Sequence, residues 1–246
     1  MGISFLKGIP ALMVDGERLV AVGDLHIGIE EKFAGSGVSF PNAARAMGRE
    51  IRGLCESNRA SGVVFLGDVK DRLANMTREG LESFKAFFRE LEGIDITITK
   101  GNHDAHIEAI LKEAGFDARV EKELLLSECA LMHGNAMPSE EAVMKRYIIC
   151  GHGHMAAQVN GIDRKAWLVV PASDGMKSHY RDYNTGIRLV AAPAFNRLII
   201  GSRIGYETQE HMPMLNNRLF DFGRMKAYDL YGNALKTDKY EVGRQS

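Results

Sequence analysis

The chain has 246 residues, 45% hydrophobic and 26% charged, with a formal net charge of −1. That length supports one large core or two small ones, and the composition is ordinary for a globular protein. A chain that wraps nucleic acid through its phosphates usually carries a clear basic excess, which is absent here. Cys55, Cys129 and Cys150 make an odd count without C-x-x-C spacing, which argues against a disulfide framework and a zinc–thiolate site. No apolar stretch approaches the roughly 20 residues of a membrane span, and the N-terminus lacks a signal-peptide pattern. A single cytoplasmic domain over residues 1–246, without membrane contact, is expected.

In chain order, Ile9–Val14 and Leu19–Val22 flank Asp15-Gly16, a hairpin signal. The second run ends in Gly23-Asp24-Leu25-His26, and the polar stretch Gly28–Pro41 reads as a loop across the mouth of a site. From Asn42 to Arg59 a helix is predicted, with Ala44, Met47, Ile51, Leu54 and Cys55 on one face. Val63–Leu66 is a short buried-type strand ending in Gly67-Asp68-Val69-Lys70-Asp71-Arg72. Thr77 can cap a helix whose inner face is Leu81, Phe84, Phe88 and Leu91. The strand Ile94–Thr99 runs into Gly101-Asn102-His103-Asp104, and a helix through Ile107, Ile110, Leu111 and Ala114 stops at Gly115.

Strand pieces near Ala118–Val120 and Leu124–Ser127 lead to Ala130–Met132 and then His133-Gly134. Ser139 is expected to cap a short helix through Lys145, and Tyr147–Cys150 enters Gly151-His152-Gly153-His154. Strands are predicted over Trp167–Val170, Ile187–Ala191, Leu198–Ile200 and Lys226–Tyr231. Alternating strand and helix in the first two-thirds predicts an α/β layered core, completed by a second sheet from the strand-rich final third. Functional groups in such sheets gather beyond the carboxyl ends of strands, where all five polar clusters fall.

Those clusters are Asp24 with His26, Asp68, Asn102, His133, and His152 with His154. In extended chain, residues i and i+2 face the same way, so each paired set can bite one metal region. The mixed oxygen and nitrogen donors exceed what one tetrahedral zinc takes and suit two octahedral-leaning ions such as Mn²⁺ or Fe, with Asp68 as the candidate bridge. A lone Asp or His at a strand end usually caps a turn. Five of the eight histidines at or just past strand ends are poorly explained that way.

The ordered set D-x-H, G-D-x-x-D-R, G-N-H-D, a lone His-Gly and G-H-x-H, from Asp24 to His154, resembles the calcineurin-like metallophosphoesterases. Within them the chain looks like the small archaeal and bacterial phosphoesterases related to the SbcD-type repair nuclease. Ala192-Pro193-Ala194-Phe195-Asn196 resembles that subgroup's C-terminal strand. The resemblance implies a four-layer α/β/β/α sandwich with two central mixed β-sheets. It implies one metal on Asp24, His26, Asp68 and His154, and a second on Asp68, Asn102, His133 and His152. It also implies that His103 is the catalytic histidine, Asp71 its orienting carboxylate and Arg72 a phosphate-binding arginine.

The expected chemistry is in-line attack at phosphorus by a water made acidic by two divalent ions, Mn²⁺ first, with Fe or Zn as other choices. The expected substrate is a phosphodiester, such as a nucleotide or single-stranded nucleic acid, and a repair-machinery partner fits the same resemblance. A phosphomonoesterase is the enzymatic alternative, and a non-catalytic metal-binding scaffold the alternative from another class. Asp104 is expected to anchor its turn or cap the next helix, and His106 to be solvated. The stretch Lys177–Tyr183 mixes basic and aromatic residues and reads as a solvated loop rather than a substrate loop.

Overall fold

The computed structural model describes residues 2–72, 76–203 and 212–236. Its first sheet opens with β1 (Ile3–Phe5), β2 (Ala11–Val14) and β3 (Leu19–Val22). β2 and β3 pair antiparallel across the Asp15-Gly16 turn, with Val14 opposite Leu19. β3 then pairs in parallel with β4 (Gly62–Phe65), β4 with β5 (Asp95–Thr99), and β5 with β6 (Arg119–Glu121). Parallel neighbours require crossovers, supplied here by α1 (Ala43–Ser57), α2 (Arg78–Arg89) and α3 (Ile107–Ala114).

Each helix follows its predicted face. α1 buries Ala44, Ile51, Leu54 and Cys55, and α2 buries Phe84, Phe87 and Phe88 behind Thr77, whose hydroxyl accepts from Gly80 N at 2.9 Å. The two helices approach closely at Gly48, where an added Cβ would lie 2.7 Å from the Phe87 carbonyl. α3 ends on Gly115 in the left-handed region, φ 81°.

The second sheet has the order β15-β12-β13-β9-β8-β7, from β7 (Glu123–Leu125), β8 (Cys129–Met132), β9 (Tyr147–Cys150), β12 (Trp167–Pro171), β13 (Arg188–Ala191) and β15 (Lys226–Tyr228). It is mixed, like the first. Period-2 alternation on β4 joins the layers: Val63 and Phe65 face the helices, while Val64 and Leu66 face the second sheet. Between the sheets Leu12, Ala21, Val64 and Leu66 meet Leu131, Ile149, Trp167 and Val190, and Trp167 stacks on Phe5 with ring centroids 4.6 Å apart. Burying side chains of this size is worth about 1.5–3 kcal/mol each.

The outer face of the second sheet is covered by Met176, Met212, Met214, Leu219 and Phe220. They come from α4 (Pro213–Asn216), the 3-10 turn Asp174–Ser178 and their flanking chain. The expected α/β/β/α layering holds, with short turns in place of long helices in its fourth layer.

Four local expectations change. Leu198–Ile200 is not a strand, because the Asn196 side chain accepts from Leu198 N at 2.9 Å and the Asn196 carbonyl from Ile199 N at 3.2 Å; that turn consumes the amides a ladder would need. The last strand stops at Tyr228, because the Asp229 carboxylate takes Tyr231 N and Asn233 N at 2.8 Å each. Ser139 does cap, accepting from Ala142 N, but only a 3-10 turn at Ala142–Met144 follows. The unpredicted hairpin of β10 (Met155–Val159) and β11 (Ile162–Lys165) turns on Asn160-Gly161, both left-handed at φ 53° and 78°. It forms a small third sheet with β14 (Ser202–Arg203). No helix among the described residues is long and apolar enough to cross a membrane.

Candidate metal centre

The carboxyl ends of five strands meet at one edge of the sandwich. Asp24 and His26 follow β3, Asp68 follows β4, and Asn102 follows β5; His133 follows β8, and His152 and His154 follow β9. Leaving a strand this sharply takes unusual backbone. Asp24, His26, Asp68, His152 and His154 are all left-handed, with φ 57°, 42°, 50°, 65° and 43°. Non-glycine residues there cost of order 1–3 kcal/mol each and cluster at functional sites. Close approach needs glycine at two positions: a Cβ on Gly101 would collide with the Asp68 backbone N and carboxylate, and one on Gly67 with the His133 ring.

Two groups of donors result. Asp24, His26, Asp68 and His154 form one, and Asp68, His133 and His152 the other, each with ligand atoms within 4.8 Å of one another. In the first, His26 Nε2 lies 3.1 Å from His154 Nε2 and 3.6 Å from Asp68 Oδ2, and His154 Nε2 lies 3.5 Å from Asp24 Oδ1. In the second, His133 Nε2 lies 3.0 Å from His152 Nδ1, 3.3 Å from Asp68 Oδ2 and 3.1 Å from Asn102 Oδ1. Asp68 belongs to both.

The surroundings orient these donors. His133 Nδ1 donates to the Leu66 carbonyl at 2.8 Å, which turns Nε2 toward the group. Burial alone would lower the His133 pKa, but the adjoining Asp68 carboxylate outweighs it and pushes the imidazole up to about 9. Burial likewise opposes ionisation of Asp24 and Asp68, yet the neighbouring histidines hold both carboxyls below the usual range, His154 foremost for Asp24 and His133 for Asp68. Asp104 is fully buried and accepts from Gly101 N and Val69 N at 2.9 Å each, tying the Asn102 turn to the Asp68 turn, which is the anchoring role expected of it. Burial raises its pKa. His106 is exposed, as expected.

The donor set fits divalent cations. Ligand atoms on adjacent vertices of an octahedron with bonds of about 2.1 Å lie about 3 Å apart, which matches the closest nitrogen–nitrogen and nitrogen–oxygen separations here. Asp24 Oδ2 is buried without a hydrogen-bond partner among the described residues, an orphan that a cation would satisfy.

His103, Asp71 and Arg72 sit beside this cluster with different partners from those expected. His103 donates its backbone N–H to Asp68 Oδ1 at 2.9 Å and its Nδ1–H to the backbone carbonyl of Asp71, and its ring stands edge-on to His26. The Asp71 carboxylate points elsewhere, 3.4 Å from His26 Nδ1 and 2.9 Å from Lys32 Nζ. Arg72 is exposed at the rim, its Nε 3.8 Å from Glu31 Oε2. Sequence reasoning missed Lys32 and Glu31, which lie on the 3-10 segment Ile29–Ser36 within the expected mouth loop. No motif marks them; only their place between two site elements does. In the Lys177–Tyr183 stretch, Tyr180 is buried and donates its hydroxyl to the Pro138 carbonyl at 2.7 Å, whereas Arg181 is fully exposed.

Among solved structures, the fold is similar to the Pseudomonas putida nuclease MPE, at 16% identity over 92% of each chain with a TM-score of 0.61. It is also similar to Yfce, a phosphoesterase from E. coli, at 15% identity over 89% of this chain and 97% of the other, with a TM-score of 0.41. No curated protein matches the sequence. The family model described as calcineurin-like phosphoesterase matches residues 17–224, which spans all five strand-end clusters. On that match, and on a fold with two mixed sheets whose strand ends converge on a His/Asp cluster, the chain belongs to the calcineurin-like phosphoesterase family.

Proposed function

We propose that this metal-dependent phosphoester hydrolase is a phosphodiesterase that would hold two divalent ions, Mn²⁺ foremost, with Asp68 shared between their sites. The observation that carries the two-ion part of this reading is the membership of Asp68 in both donor groups. Asp24, His26 and His154 would complete one site, and Asn102, His133 and His152 the other. Bound there, two divalent ions supply Lewis-acid polarisation of the phosphoryl group and a water acidified to react near neutral pH.

The chain's own residues supply the rest. His103 holds its Nδ1–H on the Asp71 carbonyl, so Nε2 faces away from that bond and, in the doubly protonated imidazolium form, would be the atom that gives a proton to the leaving oxygen. The Asp71 carboxylate stands 3.4 Å from the far nitrogen of His26 and favours its orientation. Arg72 and Lys32 offer exposed cations at the rim for non-bridging oxygens. A net charge of −1 favours small or single-stranded substrates over long duplex DNA. The fold shared with a nuclease makes oligonucleotides the next substrates to try.

Hydrolysis of bis(p-nitrophenyl) phosphate and p-nitrophenyl phosphate, after stripping and reloading with Mn²⁺, tests this. Faster diester cleavage is expected. Faster monoester cleavage would move the protein to the phosphatase side, and no metal-dependent turnover on either would favour a scaffold.

A further inference from the structure

The segment 192–196 leaves the second sheet and crosses to the first. Ala192 N donates to the Cys150 carbonyl at 2.7 Å, at the end of β9, and Phe195 N donates to the Gly23 carbonyl at 2.8 Å, at the end of β3. Phe195 is 3% exposed and packs into the core beneath the helices of the first sheet. Beside it, Asn196 donates from Nδ2 to the Leu25 carbonyl at 2.7 Å. Leu25 is the residue between Asp24 and His26.

The same segment is gripped from behind. Lys165, on β11, donates from Nζ to the carbonyls of Ala194 and Asn196 at 2.6 and 2.7 Å. Burial pushes this lysine down to about 8, so it is a costly group to spend on two carbonyls. The Asp24–His26 turn is held on its other side by backbone: Asp24 N and His26 N donate to the carbonyls of Gly67 and Asp68 at 3.3 and 2.8 Å. A turn that holds Asp24 and His26, on either side of Leu25, at φ 57° and 42° persists only where the surrounding structure holds it.

We propose that Asn196 and Lys165 are positioning residues that hold the Asp24–His26 turn in its metal-binding geometry. The role rests on the metal-centre reading given above. It predicts an effect on cation affinity rather than on stability alone, because outer partners that orient ligands typically account for about 10–100-fold in metal affinity.

The test is calorimetric titration of Mn²⁺ into the metal-stripped full chain, alongside its melting temperature. Asn196→Asp keeps the side-chain volume but sets an acceptor against the Leu25 carbonyl. Its added negative charge would by itself strengthen cation binding, so a loss reports the missing donor. Lys165→Met removes the second clamp and serves if the first variant fails to fold. Tyr180→Phe removes a buried hydrogen bond remote from the turn and controls for general destabilisation.

A 10–100-fold weaker Mn²⁺ affinity in Asn196→Asp, with Tyr180→Phe at the wild-type value, supports the role. Affinity within twofold of wild type in the folded clamp variants, or an equal loss in Tyr180→Phe, overturns it. A wild-type chain that takes up no Mn²⁺ overturns this role and the proposed function together.

Discussion

Asp71 meets His103 through its main-chain carbonyl and not through its carboxylate. The carboxylate is turned to His26 and Lys32 instead, and those two partners hold it below the usual carboxylate range against the opposing effect of burial. Asp71 therefore divides its roles between backbone and side chain. Asp71→Asn keeps the carbonyl on His103 and weakens the side-chain contacts with His26 and Lys32. We expect Mn²⁺ affinity to fall by about tenfold while the shape of the pH–rate profile persists. Loss of one limb of that profile with unchanged affinity would put the carboxylate back on His103.

His103→Ala removes the proposed proton donor without touching the donor groups. Turnover on a diester should fall by about 10²–10⁴-fold at normal metal content, measured by steady-state kinetics and elemental analysis. Unchanged turnover would take His103 out of the mechanism.

Asp68→Asn weakens a donor common to both groups, so full occupancy by two ions is not expected in the metal-loaded variant. Gly101→Ala reaches the same residue from outside, since its Cβ would collide with Asp68. It should lower metal uptake and cost about 1–3 kcal/mol of stability in urea denaturation of the metal-free chain. Wild-type uptake in Gly101→Ala would mean that the Asp68 turn yields without harm to the site.

Burial pushes the Cys55 thiol up to about 11 and the Cys129 thiol up to about 12, from an ordinary 9.0. A folded-state pKa above the unfolded one means that the native chain keeps a proton the unfolded chain has released. This contribution to stability is complete below pH 9 and is lost as pH rises toward the folded values, at up to about 1.4 kcal/mol per pH unit per thiol. Lys165 works in the opposite sense between about 8 and 10.5, so the clean measurement is a difference between variants. Cys129→Ala should lose stability less steeply than wild type between pH 9 and 11 in denaturant titrations. Parallel slopes would refute the thiol linkage.

Much of the fold is legible in the sequence because hydrophobic period and turn chemistry agree there. The Asp15-Gly16 hairpin, the α1 face and the Gly115 stop are local facts, and the structure repeats them. The strand-end clusters are equally legible, because the same pattern recurs after five apolar runs and the carboxyl ends of strands in a layered sheet gather at one edge. The β10–β11 hairpin carried a readable Asn160-Gly161 signal, masked by the weak apolar character of its second strand, Ile162–Lys165. What sequence does not carry is direction. The identity of Asp71 says nothing about whether its carboxylate or its carbonyl meets His103. Lys32, Lys165 and the Leu25 carbonyl meet their partners only through tertiary packing.

The donors come from both sheets: Asp24, His26, Asp68 and Asn102 from the first, and His133, His152 and His154 from the second. Neither half can assemble a complete group alone, and cations seated here would act as rivets through the seam between the sheets. Separating the sheets would then require expelling the ions, so metal would deepen the cooperativity of unfolding as well as raise its midpoint. Opening confined to the outer turns of the second sheet would leave the ions in place. Amide exchange should accordingly slow on metal binding along β3, β4, β8 and β9 together, while the outer turns keep their metal-free rates.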